Sequence, residues 1–229
     1  MRRKSLSLLG VILLIFVLQS CKTHPEEGVL KRYFQAVRMK DKTTMGTMAL
    51  EPISPEFKSW EIVNVSDERI EPVTLPELNQ KEMELKKKVE ESVVITVEAR
   101  EQVDDALFEM ENARTRTARR AAQQKVDELQ KKYEEIRTNH DQVQIDYNKA
   151  RSDAAREEEI TSFSLSAGEI PNIRELTGNV HSKEVDIKVV QPEGEKTFRC
   201  YMIRYMLKDE VLNLHRNGRW IILRFEEIG

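Results

Sequence analysis

Between Glu77 and Ala167 the chain contains neither glycine nor proline, and that absence restricts what it can fold into more than any other feature. Inside a helix those residues cost about 1 and about 3 kcal/mol relative to alanine, so a long stretch without them, dominated by Glu, Lys, Arg, Gln and Ala, predicts long solvated helices. In the second half of the stretch Val126, Leu129, Tyr133, Ile136, His140, Val143, Tyr147, Ala150 and Ala154 alternate three and four apart, the seam of a coiled coil. In the first half Leu78, Leu85, Val89, Val93, Val97, Val103, Leu107 and Met110 mark a broader apolar stripe, and the β-branched run Val93-Val94-Ile95-Thr96-Val97 also suits a strand. A single continuous helix would reach about 120 Å and need a second chain along its seam. A bend near Arg114 to Thr117 instead gives two arms of nearly equal length, with Thr115 and Thr117 placed to cap. The expectation is an antiparallel coiled-coil hairpin over residues 76–161.

The flanks have a different texture. Val29 to Met39 carries Val29, Leu30, Tyr33, Phe34, Val37 and Met39 mostly at helical spacing, and Thr43 to Leu50 suits a second short helix stopped by Pro52. Ser59 to Val65 reads as a strand. Gly168, Pro171 and Gly178 mark loops, after which Glu184 to Val190 alternates Val185, Ile187 and Val189 with charged residues. Pro192 to Glu195 turns into a second run, Lys196 to Leu207. Val211 to His215 and Trp220 to Phe225 flank Asn217-Gly218, the signal of a tight hairpin. The predicted class is therefore α+β: a curved antiparallel sheet packed with N-terminal helices and split by the helical hairpin. The sheet domain takes residues 29–75 and 162–229.

The amino end has the layout of an export signal. Arg2, Arg3 and Lys4 precede an almost purely apolar stretch from Leu6 to Leu18, short of the roughly 20 residues a bilayer span needs. Leu18-Gln19-Ser20-Cys21 resembles the lipobox of bacterial lipoproteins. The resemblance implies residues 1–20 as a signal peptide, diacylglycerol on the Cys21 sulfur, and a polar tether over 21–28. Each buried methylene contributes about 0.8 kcal/mol, so several acyl chains anchor a protein stably to a membrane where one does not. Lys22 follows the cysteine, which by the family's sorting rule implies the periplasmic face of the outer membrane. With Cys21 lipidated, Cys200 has no partner for a disulfide, and its place in the run Phe198 to Leu207 suits a small buried residue.

The opening helix with Tyr33-Phe34, a short second helix, a strand around Trp60 and the closing run Asn217-Gly218-Arg219-Trp220-Ile221-Ile222-Leu223 together resemble the nuclear transport factor two superfamily. That resemblance implies a cone-like sheet around helices over residues 29–75 and 175–229. The family continues from its first strand directly into its sheet, whereas this chain places the helical segment there. An insertion of that kind is tolerated when its two ends return to one place.

Charge excludes some classes of function. The 37 basic and 40 acidic side chains nearly cancel, and removing Arg2, Arg3 and Lys4 leaves 34 basic against the 40 acidic residues, a net charge of −6. Nucleic-acid binders carry a basic excess instead. No second Cys or His lies three or four residues from His140, no glycine-rich phosphate cradle or nucleophile elbow occurs, and no cofactor is implied. The polar residues His181, Asp186, His215 and Glu226 belong to no catalytic motif, and His140 falls on the coiled-coil seam. One local feature stands apart: Arg114, Arg116, Arg119, Arg120 and Lys125 occur with no acidic residue among them. In a hairpin they form the tip, a basic patch suited to an envelope protein or an anionic surface. The leading expectation is a non-enzymatic, membrane-anchored binding or scaffolding module. A small-ligand binder or enzyme using a cone pocket is the alternative, and an efflux adaptor a third, although its glycine-rich lipoyl-like halves are not found here.

Overall fold

The computed structural model of the chain describes residues 25–166 and 170–229; the leader, Cys21 and the loop marker Gly168 lie outside them. In order come α1 (Pro25–Met39), α2 (Lys42–Met48), β1 (Ser59–Val65), β2 (Arg69–Pro72), α3 (Leu75–Asn112), α4 (Arg116–Leu165), a 3-10 turn at Ile173–Glu175, β3 (Thr177–Gln191), β4 (Gly194–Asp209), β5 (Leu214–Asn217) and β6 (Ile221–Glu227). The fold is α+β, with a curled antiparallel sheet interrupted in sequence by the α3–α4 hairpin. Strands β3 and β4 are central: β1 and β2 pair with β3, and β5 and β6 with β4. The described residues form two compact units, one from those up to Arg69 with His181–Arg204 and Trp220–Gly229, the other from those of Ile70–Val180 with Tyr205–Arg219.

In the first unit, α1 presents Leu30, Tyr33, Phe34 and Val37 to the core at helical spacing, and β3 presents Val185, Ile187 and Val189 by strand alternation. Full burial of such side chains contributes about 1.5–3 kcal/mol each. Phe34 stacks on Trp60 at 4.8 Å between ring centroids. The Tyr33 hydroxyl donates to the Ile53 carbonyl at 2.6 Å and accepts from the Ile53 amide at 2.8 Å, which pins the loop after α2. Helix α1 begins at Pro25, inside the expected tether. Proline at the first helical position forfeits no hydrogen bond, and Glu26 and Glu27 suit the positive helix end. Asp41 caps α2, accepting from the Thr44 amide at 3.0 Å.

In the second unit, α3 and α4 run antiparallel, as Ser92 against His140 (2.8 Å) and Glu109 against Lys125 (2.7 Å) show. All nine α4 seam residues expected from the heptads are shielded, with Val126, Ala150 and Ala154 buried. The α3 seam includes the expected Leu78, Leu85, Val89, Val103 and Met110, all shielded, but departs from expectation elsewhere: Ser92, Ala99 and Ala106 are buried, whereas Val93, Val97 and Leu107 are exposed. Ser92, Ala99 and Ala106, seven apart, are small residues that allow close approach of the helices, and they are invisible to a search for the bulkiest apolar side chains. Val93 to Val97 is helical rather than extended, because its Thr96 and the preceding Ser92 belong to that seam. At the base Arg174 bridges Glu82 at 2.6 Å and Glu158 at 2.7 Å.

The strands are longer than their apolar alternation. Thr177 to Lys183 joins β3 through pairing, with no alternation of its own, and Gly178, at φ +139°, sits where an added Cβ would lie 2.2 Å from the Met206 carbonyl. Asn217-Gly218 does not turn a hairpin. Asn217 of β5 pairs with Met206, Ile221 of β6 pairs with Ile203, and both strands therefore lie along β4. The turn comes earlier, between Asp209 and Leu214, where the Asp209 carboxylate accepts from the amides of Val211 and Leu212 at 3.1 and 2.9 Å and Asn213 takes a left-handed conformation. Val211, expected to start a strand, belongs to that turn. Gly218 is required for space, since an added Cβ would lie 2.4 Å from the Ser164 hydroxyl.

Candidate functional site

The hairpin tip is made by three linking residues, Ala113 to Thr115, between α3 and α4. Thr115 caps α4 by accepting from the Ala118 amide at 3.2 Å. This geometry places Arg114 in the link and Arg116, Arg119 and Arg120 on the opening turns of α4, all exposed. None of these four guanidinium groups has an ion-pair partner among the described residues. Lys125 is different: it lies further along α4 and is paired with Glu109 of α3 at 2.7 Å, so it is the least available of the five expected tip residues.

The placement runs against helix electrostatics. The amino end of a helix carries roughly half a positive charge, and cations there cost about 0.3–1 kcal/mol each. Helix α4 has no acidic residue in its first turn, and α3 has no basic residue in its last. Arg116 also stands three and four residues from Arg119 and Arg120, spacings at which like charges repel. Four unpaired cations converging on a positive helix end gain stability from an incoming anion, which would meet guanidinium donors and free backbone N–H groups together.

A second polar assembly lies in the first unit. The buried Glu26 (2% exposed) pairs with Lys183 at 3.3 Å; Lys183 lies 3.7 Å from Glu68; and Glu68 accepts from His181 at 2.5 Å and from Arg204 at 3.0 Å. Arg204 and Lys183 both stand over the Trp220 ring, at 4.9 and 5.6 Å. The hydrogen bond from His181, reinforced by Arg204 and Lys183, holds the Glu68 carboxyl below its ordinary pKa, so it stays ionised at neutral pH. His181 was visible in the sequence as a polar candidate; its four charged neighbours were not, since the turn after β1, the start of α1 and two strands supply them.

The other polar candidates are separate. Asp186 is paired with Arg199 at 2.8 Å, which holds its pKa low, and Glu226 accepts from the Tyr201 hydroxyl at 2.8 Å. His215 is exposed on β5, opposite Lys208. His140 meets Ser92 on the seam. Burial pushes the Cys200 thiol well above its usual range, which keeps it in the unreactive protonated form. No group of three His, Cys, Asp or Glu side chains is arranged to hold a metal among the described residues.

One sizeable groove, about 890 Å³, runs between α1 and β1. Phe34, Trp60 and Ile62 give it an apolar floor, and Lys31, Arg38 and Glu61 line its mouth. Aromatic floors with a few polar groups at the rim suit small organic ligands.

No protein-family model, no curated protein and no solved structure matches this chain.

Proposed function

We propose that this chain is a lipid-anchored cell-envelope protein that acts as a non-catalytic binding or scaffolding module, offering the tip of its coiled-coil hairpin to an anionic partner. The observation that carries the reading is the set of four exposed arginines, Arg114, Arg116, Arg119 and Arg120, gathered at the positive end of α4 with no ion pair to any of them among the described residues. Folding gains nothing from that arrangement, whereas anion binding does. Anchorage rests on the leader and on the likeness of Leu18 to Cys21 to a lipobox, and the outer-membrane address on Lys22.

In-cell photo-cross-linking from positions beside Arg116 tests the tip, comparing the native chain with one in which Arg116, Arg119 and Arg120 are replaced by Glu. Loss of cross-linked partners on charge reversal, with folding intact, supports the reading; unchanged capture removes the tip from it. Anchorage is tested separately by Cys21→Ser, which should move the protein from the detergent-rich to the aqueous phase.

The α1–β1 groove favours a second reading, a small-ligand binding protein. A ligand of that groove raises the melting temperature by mass action, and the shift should vanish in Trp60→Ala.

A further inference from the structure

The apolar groove between α1 and β1 adjoins a second cavity of opposite character. That cavity, about 520 Å³, lies at the carboxyl end of α1 and is lined by Arg38, Lys40, Lys42 and Lys58, with Ser54 and one acid, Glu56, among its other described residues. None of the four cations makes an ion pair among the described residues. The exposed Arg38 lines both cavities. Its guanidinium stands 5.5 Å from the centroid of Phe57, and that ring meets Phe34, on the groove floor, at 5.3 Å. An apolar groove and a basic pocket therefore meet at one side chain.

Folding accounts for only part of this charge. Arg38 and Lys40 lie at the carboxyl end of α1, where the helix dipole favours cations. Lys42 has no such reason, because it is the first residue of α2 and stands at the positive end of that helix. Lys58 serves the sheet through its backbone alone, its amide donating to the Val190 carbonyl at 2.7 Å. The acids of the larger groove are engaged or distant. Glu26 pairs with Lys183 at 3.3 Å, and Glu61 stands opposite Lys188 of β3 in the strand register. Glu27 is in the first turn of α1, eleven residues before Arg38, or about 17 Å along the helix axis.

We propose that the two cavities together bind a single-chain lipid with a phosphate head, the tail lying along Phe34, Trp60 and Ile62 and the phosphate among Arg38, Lys40, Lys42 and Lys58. The proposal rests on the reading of the α1–β1 groove as a ligand site and names what fills it. An alkyl chain suits a long apolar floor, and each methylene it buries strengthens binding about fourfold. Four cations against Glu56 call for an anionic head. A phosphate meets them better than a carboxylate, since it carries more charge and its oxygens accept from guanidinium and ammonium donors at once. Inorganic phosphate would leave the floor uncovered, and a neutral lipid would leave the cations unpaired.

Photolabelling tests it. The full chain is held in phosphatidylcholine nanodiscs, so that no detergent competes for the groove. It is offered dodecyl phosphate with a photoreactive group on the tail, and separately the matching dodecanol and dodecyltrimethylammonium probes; labelled peptides are identified by mass spectrometry. The phosphate probe should label the groove walls on α1 and β1 about tenfold more than either other probe. Unlabelled dodecyl phosphate should displace it, and inorganic phosphate at the same concentration should not. Lys42→Glu together with Lys58→Glu should cut its labelling about tenfold and leave the dodecanol probe unchanged. Glutamate suits the first position of α2, so the fold should survive; should circular dichroism show otherwise, Lys42→Gln with Lys58→Gln decides, with an expected loss of about threefold. If no probe labels the groove, the groove is no ligand site and the proposal falls with that reading. If dodecanol or the ammonium probe labels it as strongly as the phosphate probe, or the lysine changes have no effect, the groove remains a ligand site and the phosphate-headed lipid is overturned. Displacement by inorganic phosphate would also overturn it, in favour of a free-phosphate site.

Discussion

Arg116→Glu should make this protein more stable, and the size of the gain follows from the geometry of the tip. Arg116 is the first residue of α4, beside Thr115, whose hydroxyl serves the Ala118 amide and whose carbonyl serves the Arg119 amide. A cation at that position costs about 0.3–1 kcal/mol against the helix dipole, and an anion gains a similar amount. The same substitution turns two repulsive pairs, with Arg119 and Arg120, into attractive ones worth about 0.2–0.5 kcal/mol each. Allowing for solvent screening at an exposed turn, the net gain is about 1–2 kcal/mol. For a chain of this length that corresponds to about 2–6 °C in melting temperature. Differential scanning calorimetry in dilute buffer measures it, and repeating the scan at about 0.5 M salt should shrink the gain, because the effect is electrostatic. A melting temperature that falls or stays constant, or a gain indifferent to salt, would refute the argument that these arginines are held at the tip at the expense of stability. The same variant should bind its partner less well, so stability and function would move in opposite directions.

Other expectations rest on packing and ionisation. Gly218→Ala should destabilise the second unit by about 2–4 kcal/mol in urea denaturation, because the new Cβ must displace the Ser164 hydroxyl that donates to the Arg219 carbonyl and accepts from the Tyr205 amide. Tyr33→Phe should cost about 1–3 kcal/mol in the same assay, since both the amide and the carbonyl of Ile53 lose their partner. Glu68 has a folded pKa below its ordinary value of 4.5, so its contribution is complete above that pH and is lost as pH falls through the folded value. Urea midpoints compared between pH 7 and pH 3 should therefore drop further for the native chain than for Glu68→Gln; equal drops would exclude the cluster as a source of acid sensitivity.

Different parts of the molecule were legible to different degrees. The hairpin could be read because its information is local. Ninety-one residues without glycine or proline, a seven-residue repeat on one arm and a threonine at the bend act within a few turns of one another, and α4 shields each residue its heptads named. The matching seam on α3 was read in part: Leu78, Leu85, Val89, Val103 and Met110 are shielded, but exposed Val93 and Val97 are more apolar than buried Ser92 and Ala99 and drew the reading off the seam. Spacing, which decides what a neighbouring helix can touch, prevailed over hydrophobicity. Asn217-Gly218 misled for a related reason: the dipeptide permits a tight turn, but β4 offers one continuous edge on which β5 and β6 both lie. A local preference worth a fraction of a kcal/mol yields to the pairing of a whole edge.

Sequence alone determined the elements whose physics is short-range: the two long arms and their bend, the core faces of α1 and β3, and the row of arginines that the bend turns into a tip. Tertiary structure decided everything assembled from distant segments. Glu26, Glu68, His181, Lys183 and Arg204 are far apart along the chain and meet only because two strands pair and a helix end and a turn close over them. No periodicity encodes such a meeting, since a charge pair depends on distance in space, and distance between strands is set by the fold as a whole.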